Sequence, residues 1–253
     1  MNTVGVCEGE RLDDLQNGYK IIQNKNDFCF GIDAVLLGWF AKSRAGNKVL
    51  DMCCGNGIIP LLMMARNVDA HYTGIEIQEK SANLAKRNMK YNQIEDSVCI
   101  ETGDIKEAFS QFGAASFDVV TCNPPYMTAN HGLINVSDSK TIARHEVSCA
   151  LEDVISQAAK VLKVKGHFYM VHRPFRLAEI IVLMTKYKLE PKRMQLVHSY
   201  IDKEPSMVLI EGRLGGNSRM SIEKPLIIYE KQGQYTQEIF DIYGMSKEDN
   251  HVG

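Results

Sequence analysis

The chain has 253 residues, of which 45% are hydrophobic and 24% charged, and a formal net charge of −2. That is chain enough for one large α/β domain with an extension. It excludes a globally basic nucleic-acid binder, and no stretch reaches the ~18 apolar residues that a membrane span needs. The seven cysteines (Cys7, Cys29, Cys53, Cys54, Cys99, Cys122 and Cys149) are odd in number and lack C-x-x-C spacing, which argues against a disulfide framework and a zinc site. Met1 to Arg11 carries acidic groups and no apolar signal core, so a cytoplasmic protein without metal is expected.

In chain order, Asn17-Gly18 is a turn signal and Tyr19–Gln23 a short apolar strand, so the chain is expected to open with a hairpin. Asp33 is expected to cap a helix running to about Lys42, with Val35, Leu36, Trp39 and Phe40 as its apolar face. Lys48–Met52 then reads as a strand entering a turn with Gly55 and Gly57, and Ile58–Arg66 as the helix that follows. This is the entry to a nucleotide-binding βαβ unit. The turn lacks the G-x-G-x-x-G fingerprint, and Asp51 at the strand end would repel a pyrophosphate. A ligand presenting ammonium and hydroxyl groups fits better, and S-adenosylmethionine is such a ligand. The second strand, His71–Glu76, ends about 20 residues on in Glu76, a carboxylate suited to both ribose hydroxyls. Glu79–Tyr91 has helical periodicity with Ala82, Ala85 and Met89 on one side. After a third strand, Ser97–Glu101, Asp104 suits either an adenine amino group or the cap of a helix over Ile105–Phe112.

Phe117–Cys122 reads as a buried strand, and Asn123-Pro124-Pro125-Tyr126 ends it, because prolines donate no ladder hydrogen bond and hold the preceding residue out of the helical region. The result is a stiff loop at the carboxyl end of a strand, where open α/β sheets place their ligands. An amide oxygen from Asn123, the Pro124 carbonyl and the flat face of Tyr126 suit a planar –NH2 on a conjugated ring or amide. The same tetrapeptide also serves as a plain strand-ending turn.

Met127–Val147 is a polar loop holding Arg144, a candidate phosphate contact, and His145, a candidate general base or structural residue. Ser148–Leu162 reads as a helix, Lys163–Gly166 as a turn, His167–His172 as a fifth strand and Pro174–Tyr187 as a helix with proline in its favoured first position. Met194–Tyr200 and Met207–Gly212 are expected to form an antiparallel pair. Arg213 and Arg219 bound a flexible basic loop, which is either a substrate contact or simply solvated. Pro225–Glu230 is a last short apolar run, and Tyr235–Gly244 a tail with a short helix. The expected division is a cap over residues 1–45, a main α/β domain over 46–232 and a tail over 233–253. Lys25, Arg144, Lys203, Arg213 and Arg219 are expected to share one basic surface.

The acidic glycine turn, Glu76, Asp104 and Asn123-Pro124-Pro125-Tyr126 together resemble the Rossmann-like S-adenosylmethionine-dependent methyltransferases, and within them the group that methylates amino nitrogens. Phe30-Gly31-Ile32-Asp33-Ala34-Val35-Leu36-Leu37 and Ala143-Arg144-His145-Glu146 make the chain most similar to the bacterial family that forms N6-methyladenosine beside the valine tRNA anticodon. The resemblance covers roughly residues 10–230 and departs at Cys53, where the family often has a glycine. It implies a seven-stranded, mostly parallel sheet with an antiparallel last strand and helices on both faces. It also implies a methionine end of the cofactor near Gly31, Asp33 and the Asp51–Gly57 turn, with ribose on Glu76 and adenine on Asp104. The substrate amine would lie on Asn123 and Pro124, Tyr126 would stack on the base, and the partner would be tRNA. A protein glutamine methyltransferase, a guanine-N2 methyltransferase of ribosomal RNA and an inactive cofactor-binding subunit remain as alternatives.

Overall fold

A computed structural model of the chain describes residues 5–25, 29–125 and 150–245. The opening hairpin is present as β1 (Glu10–Asp14) and β2 (Lys20–Asn24), with Leu12 opposite Ile22. Helix α1 (Ile32–Phe40) follows, then β3 (Lys48–Met52), α2 (Ile58–Met64), β4 (His71–Glu76), α3 (Glu79–Tyr91) and β5 (Val98–Thr102). A 3-10 turn (Ile105–Glu107) leads into α4 (Ala108–Phe112) and β6 (Phe117–Cys122). The second half runs α5 (Leu151–Val161), β7 (Leu162–His172), a 3-10 turn (Pro174–Arg176), α6 (Leu177–Lys186), β8 (Leu189–His198) and β9 (Pro205–Leu214). The short strands β10 (Ser221–Ile222), β11 (Leu226–Ile227), β12 (Tyr229–Lys231) and β13 (Gln234–Tyr235) precede α7 (Gln237–Tyr243).

The main sheet has the order β5-β4-β3-β6-β7-β9-β8, parallel except for β9, which runs antiparallel between β7 and β8. These are the seven strands expected, and β10 and β11 each add a two-residue pairing along β8 to make nine. Apolar residues alternate along the strands and fill both faces. On β7, Tyr169 and Val171 face the core under α1, α2, α3 and α7, while Phe168 and Met170 face the core under α4, α5 and α6. Consecutive connections from β3 lead to β4 on one side, and β6 lies on its other side. The strand order therefore reverses between β3 and β6, which opens a crevice beyond their carboxyl ends.

Two local expectations are corrected. Gly31, with extended backbone, occupies the position before α1 and no side chain caps the helix. Asp33 lies instead in the first turn, where its charge complements the helix dipole. Lys163–Gly166 is not a turn between elements but a bulge inside β7. Leu162 already pairs with Phe117 and His167 with Val119, so residues 163–166 stand opposite Asp118 alone. A Cβ at Gly166 would come within 2.8 Å of the Lys163 carbonyl, so the bulge needs glycine there. Among the described residues, no helix is long and apolar enough to cross a membrane.

Candidate active site

The crevice holds a cavity of about 840 Å³. Its floor is the β3–α2 turn at Cys53–Asn56, and around it stand Gly31 and Asp33 of the α1 entry, Glu76 at the end of β4, Asp104 after β5, and Asn123–Pro125 after β6. Six of the expected site residues that are distant in sequence thus meet on one wall: Gly31, Asp33, Gly55, Glu76, Asp104 and Asn123, with Pro124 beside them.

The turn is built by conformation and by internal hydrogen bonding. Cys53, Gly55 and Gly57 all have positive φ (60°, 55° and 83°). At Cys53 a side chain sits in the left-handed region, at a cost of ~1–2 kcal/mol. The departure from glycine at this position is therefore carried as backbone strain. The Gly55 N–H donates to Glu76 Oε2 (3.0 Å), the Cys54 N–H to the Ile75 carbonyl and the Gly57 N–H to the Cys54 carbonyl. With these donors engaged within the protein, the turn offers little to a pyrophosphate, in accord with its missing fingerprint. Glu76, 6% exposed, also accepts from the Gln78 N–H through Oε1 (2.9 Å), which holds the carboxylate rigid at the cavity edge.

Two expected contacts are placed elsewhere. Gly57 is absent from the wall. A Cβ on it would meet Met89 Cε at 2.6 Å, so its lack of a side chain serves the close packing of α3. Asp51 lies beneath the turn, 1% exposed, where Oδ1 accepts from Thr121 Oγ1 (2.6 Å) and Oδ2 has no partner among the described residues. Burial pushes its pKa up to about 8, against the Thr121 hydrogen bond that lowers it and with the charge of Glu76 that raises it further. Asp104 does cap the 3-10 turn, accepting from the Lys106 N–H at 2.9 Å, and also faces the cavity.

Asn123 Nδ2 donates to Asp33 Oδ2 at 3.1 Å, while Oδ1 is buried on the cavity wall and has no partner among the described residues. A buried acceptor left unpaired is costly unless a ligand satisfies it. Asn56 Nδ2, on the same wall, is a buried donor with no partner among the described residues. The wall therefore presents an acceptor at the proline loop, a donor at the glycine turn and carboxylates at Glu76 and Asp104. A molecule with a carboxylate, hydroxyls and an amino-bearing ring, such as S-adenosylmethionine, fits that donor set.

The sequence reading missed the contribution of the opening hairpin. Glu10 of β1 reaches the wall and pairs with Arg87 of α3 (2.6 Å), whose guanidinium holds the Glu10 carboxyl down to about 2. Arg173 after β7 also lines the cavity, its Nη1 donating to the Ser206 carbonyl at 3.0 Å. Tyr126, Arg144 and His145, with the Met127–Val147 loop, lie outside the described residues.

The expected basic surface is divided. Arg213 stands opposite His167 in the middle of β7, whereas Val208 stands opposite His172 at its end. Arg213 is therefore about 16 Å along the sheet from the end that holds Asn123. The Arg219 carbonyl accepts from Lys192 Nζ near the start of β8, at that same far end. The reason is the antiparallel course of β9, which carries the chain away from the crevice. Lys203 lies in the β8–β9 loop on the near side.

The chain is similar to known methyltransferases. A family model described as "Methyltransferase small domain" matches residues 29–188. A Porphyromonas gingivalis protein named tRNA1(Val) (adenine(37)-N6)-methyltransferase is 31% identical over 217 residues, covering 82% of this chain and 84% of that one. A Histophilus somni protein of the same name is 27% identical over 221 residues, covering 87% and 90%. Among solved structures, a "predicted O-methyltransferase" from Agrobacterium tumefaciens aligns with a TM-score of 0.69 at 19% identity, over 85% of this chain and 97% of that one. Geranyl diphosphate C-methyltransferase from Streptomyces coelicolor, solved with S-adenosyl-L-homocysteine, aligns at 0.53 and 14% identity, over 72% and 77%. At these identities the structural likeness speaks to the fold.

Proposed function

The chain belongs to the methyltransferase small domain family, and from that premise we propose that it transfers a methyl group from S-adenosylmethionine to N6 of adenine in tRNA, beside the anticodon of a valine tRNA. The observation that carries the reading is the buried Oδ1 of Asn123 on the wall of the crevice, which has no partner among the described residues. An acceptor in that position is made for a donor, and an exocyclic amine is a donor with two hydrogens to give.

When bound, S-adenosylmethionine supplies an electrophilic methyl group on a positively charged sulfur. Within this proposal Glu76 takes the ribose hydroxyls, Asp104 the adenine amino group and Asn56 Nδ2 an anionic or carbonyl oxygen of the ligand. The task left to the protein is the nucleophile, because an aromatic amine lends its lone pair to the ring. Asn123 Oδ1 and the Pro124 carbonyl each accept one N–H of the amine. That draws the nitrogen towards a pyramidal shape and returns electron density to it. The amine turns acidic only once it carries the new methyl group, so its proton can leave to water and no strong base is needed. Pro124 and Pro125 keep the two acceptors fixed in direction. Tyr126 is assigned the face of the target base. The base must be unstacked to reach the crevice, which is least costly in a single-stranded loop. In the same proposal, residues 1–45 cover the cofactor side, 46–232 form the methyltransferase domain and 233–253 the tail. A tRNA substrate implies a cytoplasmic site of action.

The test is methyl transfer from labelled cofactor to total tRNA of a strain lacking this gene, followed by digestion to nucleosides. Labelled N6-methyladenosine, lost in Asn123→Ala, is expected. Labelled methylguanosine from ribosomal RNA, or label confined to protein, would reject the tRNA adenine target.

A further inference from the structure

We propose that Asp33 is a positioning residue for methyl transfer: its carboxylate sets the amide of Asn123 so that the carbonyl oxygen, not the NH2, faces the substrate amine. This deepens the reading of the crevice as an exocyclic-amine site and rests on it. The two residues are 90 positions apart, and Asn123 Nδ2 donates to Asp33 Oδ2 at 3.1 Å.

A primary amide is nearly symmetric in shape but opposite in chemistry at its two ends. Turned one way, Asn123 offers an amine an acceptor. Turned the other way it offers a donor, and two donors repel. Both orientations fill the same space, so shape alone does not select between them. A carboxylate has only lone pairs to offer, so the Asn123 end that meets Asp33 must be the NH2. The opposite end is then the carbonyl oxygen, and that atom is the buried one without a partner among the described residues. One hydrogen bond outside the reaction thus determines the polarity of the reacting wall.

Asp33 is itself held. It sits in the first turn of α1, and its Oδ1 accepts from the Ala34 N–H at 2.9 Å. A Cβ at Gly31 would lie 2.7 Å from that same Oδ1, so the glycine leaves room for the carboxylate where it stands. This gives Phe30-Gly31-Ile32-Asp33 a task in the chemistry of Asn123-Pro124-Pro125, in place of the cofactor contact that the sequence suggests for Gly31 and Asp33.

Asp33→Ala is expected to lower kcat for tRNA methylation by about tenfold to hundredfold. The KM for tRNA and the Kd for S-adenosylhomocysteine by calorimetry should stay within about threefold. Asp33→Asn, which keeps an acceptor, should recover part of the loss. Because Asp33 acts through Asn123, adding Asp33→Ala to Asn123→Ala should lower kcat no further. Losses that multiply, an unchanged kcat in Asp33→Ala, or cofactor affinity that falls in step with kcat would each overturn the inference. A second readout does not depend on the substrate. The side-chain amide protons of Asn123, assigned by their loss in Asn123→Ala, should exchange slowly in the wild-type protein and fast in Asp33→Ala. Fast exchange in the wild type overturns the inference even if tRNA proves not to be the substrate. A wild type that methylates no tRNA, with slow exchange intact, rejects only the substrate.

Discussion

Burial pushes the Asp51 carboxyl up to about 8 from an ordinary 3.8. The folded state thus keeps a proton that the unfolded chain releases above about pH 4. The native state binds more protons across that window, so the Asp51 contribution to stability falls as pH rises from about 4 to about 8 and is level above. The loss should amount to a few kcal/mol, since each tenfold difference in proton affinity between the folded and unfolded chain corresponds to about 1.4 kcal/mol. Urea unfolding at pH 5 and pH 8.5 tests this. The wild-type protein should lose stability between the two, and Asp51→Asn should lose markedly less. Equal losses in both would mean that Asp51 is already ionised when folded. The sequence places Asp51 at the strand end and identifies it as unfit for a pyrophosphate. Its lack of contact with the cavity follows from Thr121 on the neighbouring strand, 70 positions away, which pairs with it.

At the scale of elements, the opening hairpin is fastened to the domain by two asparagines of α3. Asn88 Oδ1 accepts from the Ile22 N–H (2.7 Å) and its Nδ2 donates to the carbonyls of Ile22 and Asn56. Asn92 repeats the pattern on Lys20, accepting at 2.9 Å and donating at 2.7 Å. The repeat is a match of two periods. Residues four apart on a helix rise ~6 Å, and residues two apart on a strand advance ~6.6 Å, so both amides meet consecutive outward-facing groups of β2. They satisfy an edge that would otherwise stand unpaired. Asn88→Ala strands three backbone groups and should cost ~2–4 kcal/mol. Amide hydrogen exchange at Ile22 should rise while that of β3 and β6 changes only with global stability. Protection of Ile22 unchanged in Asn88→Ala would show that the hairpin docks by other means. The helix itself is legible from Ala82, Ala85 and Met89. The polar pair escapes a search for apolar periodicity, although the spacing Asn88-x-x-x-Asn92 is a signal for it.

At the scale of the molecule, a chain of net charge −2 that takes tRNA, as proposed, needs a local cluster drawn from its 29 lysines and arginines, and the residues expected to form one surface are split between two ends of the sheet. Lys25, Arg173 and Lys203 lie towards the crevice, and Arg213 and Arg219 lie away from it. With phosphate contacts from Lys25, Arg173 and Lys203 and from Arg144, log Kobs for tRNA against log salt should have a slope of only about −3 to −4. Arg173→Ala should weaken tRNA binding and flatten that slope by about one. Arg213→Ala and Arg219→Ala should leave both unchanged. A slope steeper than about −5, or an effect of Arg213→Ala equal to that of Arg173→Ala, would place the RNA path across the far end instead.

Local chemistry determined much of this protein directly. Alternating strand and helix patterns specified the sheet and its antiparallel pair. The glycine turn with Glu76 and the proline loop at Asn123 specified where a ligand would lie, because turns, caps and proline breaks depend on neighbours in the chain. Tertiary structure decided which of those residues face one another. The course of β9 removed Arg213 and Arg219 from the crevice, the approach of α3 took Gly57 for packing, and the neighbouring β6 took Asp51 into a buried pair with Thr121. The hydrogen bond from Asn123 to Asp33 joins two motifs that read separately along the chain. Such pairings depend on distances through space between residues far apart in sequence, and periodicity along the chain carries no measure of those distances.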